Sequence, residues 1–275
     1  NAGMARWRQR ACAIARSGDF HVSCRELAAL IAGLPNQPGA SQEMEYRAAP
    51  HLARRFLKHP GDRIQTTLEA RWQRLAWHAL DEQLAGLEGR NVRDGAAVIV
   101  DNASGEVLAY VGSAGSDSTA REVDGAAARR QAGSTLKPFL YGLALERRYL
   151  TPASILDDSP VSLTTASGLY IPENYDRAFK GLVSVRTALS SSLNVPAVRT
   201  LVLTGVEPLR DRLADLGYAG ITESGEYYGF SLALGSAEVS LLEQVNAYRT
   251  LANGGLWSPL RFRPQAATAP ARRVM

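Results

Sequence analysis

Ser134-Thr135-Leu136-Lys137, followed 58 residues after its serine by Ser192-Leu193-Asn194, contains the parts of an acylating serine and its base. A serine hydroxyl is a weak nucleophile at neutral pH and attacks a carbonyl only when a group within hydrogen-bond reach takes its proton. Lys137 is the candidate. Only three of the chain's 31 basic residues are lysines, and one stands here. Arginine could not replace it, because guanidinium stays charged while a desolvated lysine sheds its proton at workable pH. Ser192 is the candidate relay between Lys137 and a leaving amine. Asn194 is the candidate amide to bind a substrate amide and hold Lys137 in place. Taken alone, each string has a plainer reading, the first as an N-cap serine with a solvated lysine one turn on, the second as a helix end closed by local side-chain bonds. Their order and spacing together favour the chemistry.

Several elements must position these groups. Leu136, Phe139, Leu140, Leu143 and Leu145 predict a buried helix over 134–147, with Ser134 and Lys137 one turn apart on one face. Gly133 lets the chain turn sharply into that helix, whose positive end favours negative charge on the serine oxygen. Gly181 to Leu189, leading into three serines, Leu193, Asn194, Val195 and Pro196, predicts a helix ending in a loop that projects into a cleft. Gly95 to Val111 predicts a hairpin turning at Asn102-Ala103-Ser104-Gly105. Leu68, Trp72, Leu75, Ala79, Leu80 and Leu84 are spaced for one face of a preceding amphipathic helix. Residues 112–129 read as a mobile surface loop and 151–170 as a second loop, with later helices near 207–216 and 240–253.

Further strings accompany the two motifs: Gln131-Ala132-Gly133 before Ser134, Pro172-Glu173-Asn174-Tyr175-Asp176, and Leu234-Gly235-Ser236-Ala237-Glu238-Val239-Ser240. Together with the hairpin strings they resemble the penicillin-binding transpeptidases, and among them the bifunctional class A enzymes, most like the 1C subtype. The resemblance implies an α+β penicillin-binding transpeptidase (serine β-lactamase-like) fold, with Ser134 as the acylated nucleophile, Lys137 as its base, and Ser192 and Asn194 as the second catalytic element. Glu26-Leu27 through Asn36-Gln37-Pro38 is similar to the last stretch of the family's glycosyltransferase domain. The implied organisation is a helical glycosyltransferase remnant over 1–57, a linker and connecting helix over 58–94, and the N-terminal part of a transpeptidase domain over 95–275. The family's third motif, Lys-Thr-Gly on a strand bordering the cleft, occurs nowhere in the sequence. The fold is therefore expected to be incomplete and the chain a fragment of a longer protein.

By the same resemblance the parent reaction is peptidoglycan cross-linking. D-Ala-D-Ala stem peptides and β-lactams are the partners, no cofactor or metal takes part, and a membrane anchor holds the parent protein at the periplasmic face of the bacterial inner membrane. The fragment itself carries no anchor. Two alternatives stand beside this: a D,D-carboxypeptidase or β-lactamase-type hydrolase, in which water replaces the acceptor amine, and a truncated scaffold without catalysis, which the missing third motif favours.

Composition sets the remaining bounds. With 45% hydrophobic and 21% charged residues the chain has the apolar surface for a core. A net charge of +4, carried by scattered basic residues, gives no nucleic-acid patch. No run of 18 apolar residues is present, so no span is read here. Cys12 and Cys24 make neither a metal site nor a redox motif, and a disulfide between them stays open. His21, His51, His59 and His78 show no ligand spacing.

Overall fold

The structure, a computed structural model, describes residues 49–275 apart from 88, 115–117, 119, 166–167 and 265–268. The glycosyltransferase-like string and both cysteines lie outside the described residues. Helix α1 (Pro50–Phe56) is followed by α2 (Ala70–Ala85) and by the antiparallel hairpin of β1 (Gly95–Val100) and β2 (Val107–Ala114). The hairpin turns where predicted. Asp101 Oδ1 accepts from the Ser104 amide at 2.7 Å and its hydroxyl at 2.8 Å, and Gly105 takes the positive φ that closes the turn.

A lone hairpin is marginal in water, and here both faces are covered. Trp72, Ala76, Leu80 and Leu84 of α2 pack with Ala97, Ile99, Ala109 and Val111. Leu52 and Phe56 of α1, with Leu68, Leu260 and Phe262, cover the other side around Tyr110. The apolar face of α2 thus differs from the predicted one. Ala79 is exposed, Leu68 precedes the helix, and Gln73 and Ala76 are the buried residues.

The outer edge of β2 is occupied as well. Leu108 O accepts from the Glu69 amide at 2.9 Å, and Gly112 O accepts from the Gly125 amide at 2.7 Å. Between them the Gln73 side chain acts as a short strand: Nε2 donates to Tyr110 O at 2.8 Å and Oε1 accepts from Tyr110 N at 2.7 Å. Gly125 belongs to the segment expected as a mobile loop. In its described part that segment is pinned: Ala126 is fully buried, and Asp124 accepts from the Tyr110 hydroxyl at 2.7 Å. A free strand edge invites pairing with other chains, and these bonds remove the invitation.

After β3 (Arg130–Gln131) comes the 3-10 turn Gly133–Leu136, continuous with α3 (Lys137–Glu146). Phe139, Leu140, Tyr141, Leu143 and Ala144 are all buried, so α3 is a central helix rather than an amphipathic one. The stretch expected as a loop over 151–170 contains three strands, β4 (Ile155–Asp158), β5 (Leu163–Thr165) and β6 (Gly168–Tyr170). β5 pairs with β6, and β4 pairs with β7 (Gly181–Ser184), Leu156 opposite Val183 and Asp158 opposite Gly181. Three and four residues hold too few alternations to announce a strand, and the partner of β4 lies far along the chain.

Beyond β7 come α4 (Val185–Ser190), α5 (Asn194–Thr204), α6 (Val206–Asp215), α7 (Gly225–Tyr228) and the 3-10 segment Gly229–Leu234. α5 packs against α3 and the 3-10 segment. β8 (Glu238–Val239) pairs with β3, and α8 (Leu241–Ala252), within the helix expected near 240–253, opens on a Ser240–Glu243 capping box. β9 (Leu256–Trp257) pairs with β10 (Arg272–Arg273) at the end of the chain. Among the described residues no helix is long and apolar enough to cross a membrane.

Replacing Gln73 by alanine strands two buried main-chain groups of Tyr110. Each such group costs about 1–3 kcal/mol, so Gln73→Ala is expected to lower unfolding free energy by about 3 kcal/mol, read from the urea midpoint at constant slope.

Candidate active site

Ser134 is positioned by two glycines that meet backbone to backbone. Gly133 (φ 58°) donates its amide to Gly235 O at 3.0 Å, and Gly235 is itself left-handed at φ 75°. A Cβ on Gly235 would stand 1.9 Å from Gly133 O, so neither residue type nor register is free there. The β3–β8 ladder and the Ala132 amide bond to Ala237 O carry the chain into this contact. Thr135 O, on the turn itself, accepts from the Tyr248 hydroxyl at 3.0 Å and from Gln244 Nε2 at 3.4 Å, so α8 braces the turn.

Ser134 and Lys137 are joined by the bond from the Lys137 amide to Ser134 O. The turn is 3-10 and not α, and at three residues per turn positions i and i+3 eclipse, which places the two residues on one face. Their exposures differ. Ser134 is exposed, whereas Lys137 is 1% exposed.

A buried ammonium needs three acceptors, and Lys137 Nζ has them: Ser192 O at 2.6 Å, Asn194 Oδ1 at 2.7 Å and Ser192 Oγ at 3.1 Å. All three come from the second motif, so the lysine's hydrogen bonds run to Ser192 and Asn194 and not to the neighbouring serine. Burial pushes the amine down to about 8. The arrangement is a buried amine, shifted toward its neutral form, with a hydroxyl and an amide on its nitrogen, and no group of His, Cys, Asp or Glu among the described residues is placed to hold a metal.

Ser192 reaches Lys137 because α4 ends in a Schellman motif. The Leu193 amide donates to Ala188 O at 3.0 Å and the Ser192 amide to Leu189 O at 3.1 Å. This pattern demands a left-handed residue, ordinarily glycine; here it is Ser192, at φ 52°. Ser192 is thus held in a strained backbone conformation that brings its main-chain oxygen and its hydroxyl to one nitrogen.

Asn194 opens α5. Its Oδ1 faces a donor and its Nδ2 donates to Glu173 O at 2.8 Å, so only one orientation of the amide satisfies both contacts. Two residues not predicted for the site lie behind it. Asn174 Oδ1 accepts from the Asn194 amide at 2.8 Å, and its Nδ2 donates to Asp158 Oδ1 at 2.8 Å and to Ala178 O at 2.9 Å. Asp158 is fully buried and also accepts from the Lys180 amide at 2.9 Å. Asn174 stands in one of the strings that carry the resemblance, but no periodicity or spacing marks it as part of the site, and Asp158 falls in the stretch expected to be a loop.

An α+β frame that sets a serine and a buried lysine on its central helix, with a Ser-x-Asn junction against that lysine, is the penicillin-binding transpeptidase fold. The chain belongs to that family: residues 95–272 match the penicillin binding protein transpeptidase domain. Penicillin-binding protein 1C of Escherichia coli (strain K12) is 36% identical over 221 residues, 78% of this chain and 28% of the relative. The crystal structure of penicillin-binding protein 1A from Haemophilus influenzae superposes with a TM-score of 0.56 at 26% identity, covering 66% of this chain and 28% of that one. Penicillin-binding protein A of M. tuberculosis shares the fold at 21% identity and a TM-score of 0.61, over 77% of this chain and 59% of that one. The chain spans less than a third of the length of the curated relative, and what matches there is the transpeptidase domain of a class A penicillin-binding protein.

Left-handed strain at position 192 has a measurable sign. With the Lys137 contact to Oγ removed in both variants, Ser192→Gly is expected to be more stable than Ser192→Ala by about 1 kcal/mol, the reverse of the usual order for these residues. Urea unfolding of the pair measures it.

Proposed function

We propose that Ser134 is the acylated nucleophile of a peptidoglycan D,D-transpeptidase site and Lys137 its base, with Ser192 and Asn194 as the second catalytic element. The observation that carries this reading is the buried Lys137 amine, held by Ser192 and Asn194 one turn from an exposed serine. Neutral Lys137 takes the Ser134 proton as Oγ bonds to the penultimate carbonyl of a D-alanyl-D-alanine stem. The tetrahedral intermediate then collapses and the peptide C–N bond breaks. The leaving D-alanine amine takes a proton from the Lys137 ammonium through Ser192 Oγ, which already accepts from Nζ. An amine on a neighbouring stem, giving its proton to Lys137, bonds to the ester carbonyl; the C–O bond to Ser134 then breaks and Oγ regains its proton from Lys137, which completes the cross-link and frees the site. A β-lactam offers an acyl C–N bond like that of the stem peptide but strained by its ring, and its leaving nitrogen stays tethered, so the ester persists.

The whole protein, in this reading, is a bifunctional cell-wall synthase held at the periplasmic face of the bacterial inner membrane. A second reading draws on the sequence, which contains no Lys-Thr-Gly. Without that strand's help in binding the substrate carboxylate and forming the oxyanion hole, these residues would serve as a non-catalytic scaffold.

Labelling by fluorescent penicillin separates the two. The first reading expects one covalent adduct per chain, lost in Ser134→Ala; folded protein that takes up no label supports the second. The base also sets a pH dependence. A lysine titrating at about 8 is about one-tenth neutral at pH 7 and half neutral at pH 8. Because the neutral form is the base, the acylation rate should climb with pH through about 8 and level above it. A profile flat from pH 6 to 9 would exclude Lys137 as the base.

A further inference from the structure

Helix α5 begins with an unsuitable cap. Its N-cap residue is Leu193, whose side chain accepts nothing, although the first amides of any helix need an acceptor. Asn174 supplies one from outside the helix: its Oδ1 accepts from the Asn194 amide at 2.8 Å and from the Val195 amide at 3.4 Å. The amide side chain cannot turn away, because its Nδ2 donates to both oxygens of Asp158, at 2.8 and 2.9 Å. Asn174 is 4% exposed and Asp158 is fully buried. Next to Asn174 in sequence, Glu173 O accepts a hydrogen bond from Asn194 Nδ2, so main chain and side chain of adjacent residues grip the same asparagine.

We infer that Asn174, anchored by Asp158, is a positioning residue for acylation: it caps in trans the helix that bears Asn194 and thereby sets the Asn194–Lys137 contact. The inference rests on the reading of Lys137 as the base, and acts through Asn194 without touching substrate. Loss of the cap frees the first turn of α5, Asn194 Oδ1 leaves Nζ, and the lysine loses an acceptor that keeps its nitrogen in place for Ser134.

With only three lysines in the chain, the test can be read on Nζ directly. In the full chain carrying 15N-lysine, at pH 6 and low temperature, the buried Lys137 ammonium should exchange its protons at least tenfold more slowly than exposed Lys58. Asn174→Ala should abolish that difference. The swapped pair, Asn174→Asp with Asp158→Asn, keeps an acceptor for the Asn194 amide and a donor between the two side chains, and should restore protection to within about threefold. Unchanged protection in Asn174→Ala overturns the inference. If Asn174→Ala does not fold, the swapped pair decides, and a folded swap with an unprotected Lys137 overturns it. Penicillin uptake by the same proteins separates this from the function above. Protection that follows Asn174 while no protein is labelled upholds the positioning and sinks the acylating role; wild-type labelling that proceeds at the same rate in Asn174→Ala does the reverse.

Discussion

A charged amine inside a protein is tolerated only when every proton it carries finds an acceptor, and the site is organised around meeting that condition for Lys137. The acceptors are two oxygens of Ser192 and one of Asn194. All lie on the junction between α4 and α5, so the junction's geometry is as strictly constrained as the lysine itself. A left-handed serine closes one helix and an external asparagine starts the next. Both are less favourable locally than glycine and a self-capping serine would be. Local stability is thus traded for the placement of three oxygens around one nitrogen. The opposing pull of burial is what brings the amine into the range where it can exist neutral.

Ser134 faces the opposite demand, since the nucleophile proposed for the site must be reachable. It is exposed, on the turn before α3 enters the core. Its precision comes from the backbone on both sides: Gly133 locked against Gly235, and Thr135 O held by Tyr248 and Gln244. The segment from Gly235 to α8 is therefore part of the site's frame although none of its side chains belongs to the reacting set.

The hairpin lobe solves a different problem. Two strands bury little by themselves, so stability rests on what covers them. α2 and α1 take the faces, while Gln73, Glu69 and Gly125 take the outer edge of β2. Arg249 of α8, buried beneath the turn, donates to Asn102 O at 3.0 Å and to Ser258 O at 3.0 Å. This ties the helix that braces the Ser134 turn to the hairpin's tip. A Cβ on Gly105 would press on that guanidinium at 2.9 Å, so the turn glycine serves packing as well as conformation.

What could be read from residues alone was what neighbours in sequence dictate. The helix from Lys137, the turn at Asn102–Gly105, the helix near 240–253 and the sharp entry at Gly133 follow from periods and φ preferences within a few residues. The same holds for the pairing of residue types that marks Ser134, Lys137, Ser192 and Asn194 as candidates. The tertiary structure alone decided that Lys137 meets the main-chain oxygen of Ser192 as well as its hydroxyl, that Gln73 and not Ala79 faces the sheet, that β4 pairs with β7, and that Asn174 with Asp158 lies behind Asn194. Each of these depends on groups brought together from distant parts of the chain to satisfy buried polar atoms. A buried donor takes whatever acceptor the fold places within about 3 Å, and local pattern carries no record of which one that is.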